Sequence, residues 1–212
     1  MTESWSLIEL FKIGGAFMWP LLAFSIAALT LIIDRLIYIF YHNVKMANLT
    51  NQVKEFLEKK DLDGAIKMLE EQPRKQTGAT IILELLKNAR FGESRMEKAA
   101  ETEAMERIHR LENGFDWLTA ISSLAPLTGF LGTVSGMIGA FRSIANAQDV
   151  NAQLVASGIY EALVTTVFGL IIAIVSLVAF NLFVRKVDTF SNEVSKSVND
   201  LMPYLLDYEE TK

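Results

Sequence analysis

The sequence contains no cysteine and only two histidines, His42 and His109. The lack of cysteine excludes disulfide bonds, thiolate metal ligands and a cysteine nucleophile. Each histidine stands alone in a charged segment, so we expect surface positions and predict neither a metal site nor another cofactor. An excess of one charge is also missing, since the net charge is only -5 and no basic tail or stripe is present. These features argue against a nucleic-acid partner.

Apolar residues, in contrast, make up 51% of the chain. Because the mean hydropathy is also high, at +0.28, the composition is typical of a membrane protein. A helix needs about 20 mostly apolar residues to cross the hydrocarbon layer, and three stretches satisfy this condition: 16–40, 120–144 and 160–184. The first is too long for the core of a cleavable leader and is expected to stay as an anchor. The predicted fold is an all-α membrane protein with three transmembrane helices.

The segment between the first two spans, residues 41–119, is charged and has helical spacing. We predict a helical domain here, whose last part forms an extended helix that continues into the second span. Pairs such as Glu103 and Arg107 are spaced to form ion pairs along that helix. Residues 185–212 are predicted to form a further helix after the third span.

Residues 1–15 carry Trp5, Ile8 and Phe11 at helical spacing. This pattern favours a short amphipathic helix lying on the membrane surface. A frayed terminus is the alternative interpretation.

The distribution of basic residues predicts the orientation. The N-terminal segment has only Lys12 and the connection 145–159 has none, whereas the large loop and the C-terminal segment have many. Because basic loops stay in the cytoplasm, residues 41–119 and the C-terminus are predicted to be cytoplasmic and the N-terminus outside. Asp34 and Arg35 would then lie near the inner boundary, with the Arg35 side chain extended towards water. A functional pair inside the membrane is the alternative.

Small residues are concentrated in the second span. Helices in lipid associate through close contact of Gly, Ala, Ser and Thr. The residues predicted to pack helices together are Gly129, Gly132, Gly136, Gly139, Ala140 and, in the third span, Gly169.

The third span has two different faces when it is drawn as a helix with about 100° per residue. The small face consists of Ala162, Thr165, Thr166, Gly169, Ala173, Ser176 and Phe180. The bulky face consists of Val164, Val167, Ile171, Ile174, Val175 and Val178. Glu161 lies at the edge of the small face.

Glu161 is the residue that most needs an explanation. A charged side chain at the centre of a bilayer costs about 2.5–3.5 kcal/mol on insertion scales, and such groups usually belong to ion or proton pathways. The alternative is an interfacial residue, or a residue in the first turn of the helix, where the helix dipole favours an acid. The sequence leaves both interpretations open, because the point at which the third span enters the membrane is uncertain.

Two motifs resemble those of the MotA/TolQ/ExbB proton channel family, in particular its three-span ExbB/TolQ branch. They are "APLTGFLGTVSGMIGAF", residues 125–141, and "GIYEALVTTVFGLIIAI", residues 158–174. They are similar to the family patterns AP-x-x-G-x-x-GTV-x-G-x-x-x-x-F and GI-x-EAL-x-x-T-x-x-GL, in the same order. Thr128, Ser135 and Thr165 depart from the residues usual in the branch.

The resemblance implies a homopentameric bundle in the bacterial inner membrane, with residues 1–15 and 145–159 in the periplasm. It implies a dimer of an ExbD/TolR-like single-span protein inside the pore, and a TonB- or TolA-like protein as a further partner. Carried over to this sequence, the pore carboxylate would be Glu161 and the pore hydroxyls Thr133 and Thr166. The additional hydroxyl of Thr165 would add to the polarity of the pore.

The function implied is that of a channel subunit in a motor that converts proton motive force into mechanical work. A non-conducting membrane scaffold that assembles single-span partners is the alternative. Enzymatic activity is not expected, because a serine nucleophile such as Ser135 needs a general base and neither histidine lies near the second or third span.

Overall fold

The computed structural model of the chain describes residues 7–41, 46–72, 76–146 and 152–210. All regular elements within these ranges are helices. They are α1 (Leu7–Ile13), α2 (Met18–Tyr41), α3 (Ala47–Glu58), α4 (Leu62–Glu71), α5 (Thr77–Lys87), a 3₁₀ turn (Ala89–Phe91), α6 (Glu93–Glu112), α7 (Phe115–Asn146) and α8 (Ala152–Glu210).

The chain divides into two compact units. The apolar unit consists of Met1–Ile33 and Gly114–Asn181, and the polar unit consists of Asp34–Asn113 and Leu182–Lys212. Helices α2 and α8 each contribute residues to both units.

The prediction of three helices that could span a membrane is confirmed, because the described residues contain three helical stretches long and apolar enough to cross one. These stretches lie in α2, α7 and α8. Many of their apolar side chains are exposed in the single chain, as lipid contact requires; examples are Ile26, Leu131 and Ile174. Helix α8 is much longer than a span, with 59 residues.

The prediction of one extended helix running into the second span is wrong. Helix α6 ends at Glu112 and α7 begins at Phe115. Between them, Gly114 has a φ of +86°, a conformation open to glycine but strained for most other residues. The Asn113–Gly114 pair is a common turn sequence, so the interruption had a signal in the sequence.

Helical structure extends beyond the predicted ends of the spans. The predicted connection 145–159 is helical at both ends, because α7 extends to Asn146 and α8 begins at Ala152; residues 147–151 lie outside the described residues. In the N-terminal segment the structure describes α1, followed by Gly14 and Gly15, while Trp5 lies outside the described part of the chain.

The polar unit has an apolar core made by the inner faces of its helices. Helix α4 begins where Asp61 accepts a hydrogen bond from the backbone N–H of Gly64, 2.8 Å away, which satisfies one of the free amides of the first turn. The core residues follow helical spacing within each helix. They include Val53, Leu57, Leu62, Ala65, Leu69, Ile81, Ile82, Leu85, Met96, Ala100, Phe190, Val194, Leu201 and Leu205.

Polar contacts join α3 to the C-terminal part of α8. The Thr50 hydroxyl donates to the Ser197 hydroxyl at 2.8 Å, and the backbone N–H of Met46 donates to Glu193 Oε2 at 3.2 Å. Both hydroxyl-bearing residues are buried. Since buried polar groups need partners, these bonds fix which face of α8 packs on α3.

Asp34 and Arg35 form an ion pair, but the Arg35 side chain does not extend towards water as predicted. Arg35 is buried, with 8% of its surface exposed. Its guanidinium donates to Asp34 Oδ2 at 2.6 Å and to the backbone carbonyl of Arg110 at 3.2 Å. Because Arg110 lies in the last turn of α6, Arg35 satisfies a carbonyl that has no partner within that helix. The predicted ion pair of Glu103 with Arg107 also forms, at 2.7 Å.

Candidate functional site

Helices α7 and α8 meet along a small-residue seam. Its members are Gly129, Gly132, Gly136 and Ala140 on α7, and Gly158, Ala162, Thr165 and Gly169 on α8. A Cβ atom on Gly129 would lie 2.8 Å from the carbonyl oxygen of Thr165, and one on Gly169 would lie 2.6 Å from the carbonyl oxygen of Ala125. Real Cβ atoms do not approach backbone that closely, so the two backbones touch only because these positions are glycine.

The seam continues towards the end of α7 and the start of α8. A Cβ on Gly136 would lie 3.0 Å from the Cβ of Ala162, and one on Gly158 would lie 2.8 Å from the Cβ of Ala140. Gly158 was not among the predicted packing residues, although its spacing of four from Ala162 places it on the same face of α8. Gly139 differs from the others, since nothing lies within 4 Å of an added Cβ.

The predicted faces of α8 are confirmed by burial. On the small face, Ala162 is 2% exposed, Thr165 1% and Ser176 0%. On the bulky face, Val167, Ile171, Ile174, Val175 and Val178 are all exposed, whereas Val164 is buried. The small face therefore packs within the chain and most of the bulky face remains available to lipid or to another protein.

The three threonines of the candidate site have different surroundings. Thr165 is fully buried in the seam, and its hydroxyl donates to the carbonyl of Ala162 at 2.7 Å. The hydroxyl of Thr166 donates to the carbonyl of Gly129 at 3.1 Å, and that of Thr133 donates to the carbonyl of Phe130 at 2.6 Å. Thr133 and Thr166 are half-buried. Each of these two hydroxyls donates its only proton to a backbone carbonyl. The accessible side of each hydroxyl oxygen can therefore act only as a hydrogen-bond acceptor.

Glu161 lies well inside α8. It follows the first residue of the helix, Ala152, by about two and a half turns. It is therefore not in the first turn, and the first-turn alternative is wrong, since the effect of the helix dipole fades within one turn. An interfacial position stays the alternative to a position in the hydrocarbon layer. Glu161 is half-buried.

The carboxylate of Glu161 contacts the turn between α1 and α2. A Cβ on Gly15 would overlap Oε1 of Glu161 and lie 3.0 Å from its carboxyl carbon. Glu161 and Thr166 are about 140° apart around α8, as follows from their spacing of five residues. The described contacts therefore join Thr165 and Thr166 to the seam, and Glu161 to the α1–α2 turn. The sequence does not predict the role of Gly15, because its contact with Glu161 joins distant parts of the chain and leaves no periodic pattern.

Two further residues of α7, Thr128 and Ser135, are positions that depart from the family patterns. Ser135 is exposed and Thr128 donates to the carbonyl of Leu124 at 2.9 Å. His109 lies on α6 in the polar unit, and His42 lies outside the described residues. Among the described residues, no group of three His, Asp or Glu side chains is placed to hold a metal ion.

The fold and the site define a class: a helical membrane protein with three candidate spans, a carboxylate in the helix of the third span, and accessible hydroxyls beside a tightly packed pair of helices. A family profile described as the MotA/TolQ/ExbB proton channel family matches residues 70–196. The chain belongs to this family. Relatives named ExbB and TolQ support the ExbB/TolQ-like branch of the family, as the two motifs predicted.

Individual relatives agree with this assignment. The chain is 32% identical over 189 residues to the "Putative biopolymer transport protein ExbB-like 1" of Synechocystis sp., covering 87% of this chain and 73% of the relative. It is 34% identical over 125 residues to the "Biopolymer transport protein ExbB" of Pseudomonas putida, covering 55% and 38%. It is 34% identical over 103 residues to the "Tol-Pal system protein TolQ" of Haemophilus influenzae, covering 48% and 45%. The last two matches span less than half of those relatives.

Proposed function

We propose that the chain is the proton-channel subunit of an ExbB–ExbD or TolQ–TolR type motor in the bacterial inner membrane. The observation that carries the proposal is Glu161, a half-buried carboxylate more than two turns inside the helix that contains the third span. Acids in such positions usually face a bundle interior and move protons or ions. Membership of a proton channel family supports the same role.

The proposed assembly is a homopentamer that surrounds the spans of two copies of an ExbD/TolR-like partner. The N-terminus is periplasmic and the C-terminus cytoplasmic, as the distribution of basic residues indicates. The exposed apolar side chains of α2, α7 and α8 meet lipid or neighbouring subunits. A TonB- or TolA-like protein receives the mechanical work.

The proposed proton pathway consists of hydrogen-bond acceptor oxygens and a titratable carboxylate, and it needs no catalytic nucleophile. Protons move past the oxygens of Thr133 and Thr166, with Glu161 as the titratable group, and reach a protonatable aspartate on the partner. A proton that crosses the membrane releases about 2.3 kcal/mol per 100 mV. Neutralising the aspartate removes the cost of a charge inside the channel, and the two-fold partner then turns within the five-fold ring. No catalytic role is proposed for Ser135 or for any other residue.

Burial divides the predicted pore hydroxyls into two groups. Because Thr165 is 1% exposed and lies within the seam, we assign it to packing, which is also what the scaffold alternative would require. The accessible polar residues that a channel would need and a scaffold would not are therefore Glu161, Thr133 and Thr166.

The test is proton flux in liposomes that contain the chain with its co-purified single-span partner. Glu161→Gln keeps the size of the side chain and removes its titration, so we expect the flux to fall to the level of empty liposomes while the complex still assembles. Unchanged flux in this variant, or no flux in the unmodified complex, would favour the scaffold.

A further inference from the structure

The turn between α1 and α2 has a backbone conformation that favours glycine. Gly15 has a φ of +65°, in the left-handed region that side chains with a Cβ rarely adopt. The turn is held by backbone hydrogen bonds from Gly14 N–H to the carbonyl of Leu10 at 3.0 Å and from Met18 N–H to the carbonyl of Gly15 at 3.2 Å. The turn therefore has a defined shape.

Side chains on both sides of the turn reinforce that shape. The rings of Phe11, on α1, and Trp19, on α2, meet edge to face with their centroids 5.3 Å apart. Such pairs stabilise a fixed arrangement of the elements that carry them. Helix α1 and the start of α2 thus form one corner with Gly15 at its bend.

Glu161 fills the space that Gly15 leaves open. The space where a Gly15 side chain would begin is occupied by Glu161 Oε1, and the carboxyl carbon and Cγ of Glu161 would lie 3.0 and 3.7 Å from that Cβ. Any larger residue at position 15 must displace the carboxylate. The choice of residue at position 15 is therefore limited both by the backbone conformation and by the adjacent Glu161 carboxylate.

We propose that Gly15 is a positioning residue for Glu161: the α1–α2 turn fixes the place at which the carboxylate takes up and releases its proton. The inference rests on the proposed function, in which Glu161 is the titratable group of the pathway. A side chain as flexible as glutamate has several rotamers, and proton transfer needs its donor and acceptor within hydrogen-bond reach. The turn selects one of these positions.

The contact can be tested without measuring flux, because the chain has no native cysteine. Gly15→Cys combined with Glu161→Cys should be bridged by a short bifunctional thiol reagent in the assembled complex, as measured by the mass of the intact chain. The control pair is Gly14→Cys with Glu161→Cys, since a Cβ on Gly14 points to the side chain of Met18. Equal bridging in both pairs, or none in the first, overturns the contact.

The functional test compares two glycines with positive φ. Gly15→Ala should lower proton flux about tenfold or more, since a small displacement of a reacting group can cost that much. Gly92→Ala is the matched control: Gly92 has a φ of +87° and nothing lies within 4 Å of an added Cβ. With a ψ of 163°, Gly92 lies in a backbone region that is essentially restricted to glycine, so Gly92→Ala also carries a backbone penalty. It displaces no carboxylate and lies in the polar unit, so the flux of the assembled complex should stay within about twofold of the unmodified one.

Shortening the acid gives a rescue test. Glu161→Asp withdraws the carboxyl group from Gly15, so adding Gly15→Ala to Glu161→Asp should cost much less flux than adding it to the unmodified chain. This non-additivity is the signature of two residues in contact. If Gly15→Ala prevents assembly, Gly15→Asn serves instead, because asparagine tolerates a positive φ and still fills the space of the carboxylate.

The outcomes separate the inference from the proposed function. If Glu161→Gln abolishes flux but neither Gly15→Ala nor Gly15→Asn differs from Gly92→Ala, the positioning role is overturned and the channel remains. If Glu161→Gln leaves flux unchanged, the proposed function fails and the positioning role fails with it, whatever the bridging experiment shows.

Discussion

The hydroxyl of Thr166 donates a hydrogen bond to the carbonyl oxygen of Gly129, 3.1 Å away on the facing helix. The bond crosses the seam at a point of close backbone approach, where a Cβ on Gly129 would lie 3.0 Å from the Cα of Thr166. Thr166 therefore does two things at once: it holds α8 against α7, and it turns the lone pairs of its hydroxyl oxygen away from the seam.

Replacing Thr166 with valine should separate these two roles. Valine keeps the shape but loses both the donor and the acceptor, so we expect about 1 kcal/mol less stability and a large loss of proton flux. Thr166→Ser keeps the hydroxyl and should retain most of the flux. Thermal unfolding in detergent and flux in liposomes measure the two effects. Normal flux in the valine variant would remove Thr166 from the pathway.

The glycines of α7 and α8 should not be equivalent. Gly169→Ala places a Cβ 2.6 Å from the backbone oxygen of Ala125, and forcing the helices apart should cost about 1–3 kcal/mol. Gly139→Ala meets nothing within 4 Å in the chain and should gain up to about 1 kcal/mol from helix propensity. Thermal unfolding of the two variants tests this difference.

Gly139→Ala also tests what covers that position in the assembly. If the variant chain unfolds normally but no longer forms an oligomer, then Gly139 packs against another copy. Equal destabilisation of the chain by the Gly139 and Gly169 variants would contradict the described seam.

The sequence predicts those parts of the molecule that depend on short-range periodicity. The spacing of Ala162, Gly169 and Ser176 was sufficient to find the buried face of α8, because a helix repeats every 3.6 residues. The contact of Glu161 with Gly15 was not predictable in this way, since it joins distant parts of the chain. The position of Thr165, buried rather than accessible, likewise depends on which helix packs against it.

Arg35 should be important for the end of α6. Its guanidinium donates to the carbonyl of Arg110 at 3.2 Å and is buried. Arg35→Met leaves that carbonyl without its donor, so we expect a loss of roughly 1.5–3 kcal/mol and faster amide hydrogen exchange in the last turn of α6. The exposed Arg95 is the control, and Arg95→Met should change neither measurement. Unaltered exchange in the Arg35 variant would show that the bond does not hold the helix end.

Lys54 should make the polar unit sensitive to alkaline pH. Its ammonium lies 5.0 Å from the centre of the Tyr204 ring, and its hydrogen bond with Tyr204 raises the pKa of Lys54 above its ordinary value of 10.5. A raised pKa means that the folded state favours the charged form. The contribution to stability is thus complete below the ordinary pKa and is lost as the pH rises through the folded one.

Unfolding by urea at neutral pH and above pH 10.5 measures this contribution of Lys54. Lys54→Met should reduce the alkaline loss of stability, and Tyr204→Phe, which keeps the ring but removes the hydroxyl, should reduce it as well. The effect is expected to be small, because exposed charge interactions are screened by solvent. The exposed Lys59 provides the control, since Lys59→Met should leave the alkaline loss unchanged. An identical loss in all four proteins would contradict the assignment.

Thr50 and Ser197 should be energetically coupled. The Ser197 hydroxyl donates to the carbonyl of Glu193 at 2.8 Å, so in their shared bond Thr50 is the donor and Ser197 the acceptor. Thr50→Val leaves Ser197 with its own acceptor, and Ser197→Ala leaves Thr50 free to donate to the carbonyl of Met46 at 3.1 Å. Neither single variant leaves a buried hydroxyl proton without an acceptor.

Each of these single variants should therefore cost about 1 kcal/mol, and the double variant about as much as either one, because the shared bond is lost only once. Urea unfolding of the four proteins gives the coupling energy. The exposed Ser195 serves as the control, since Ser195→Ala should add independently to Thr50→Val. Additive costs for Thr50 and Ser197 would mean that the bond between them contributes nothing to holding α3 against α8.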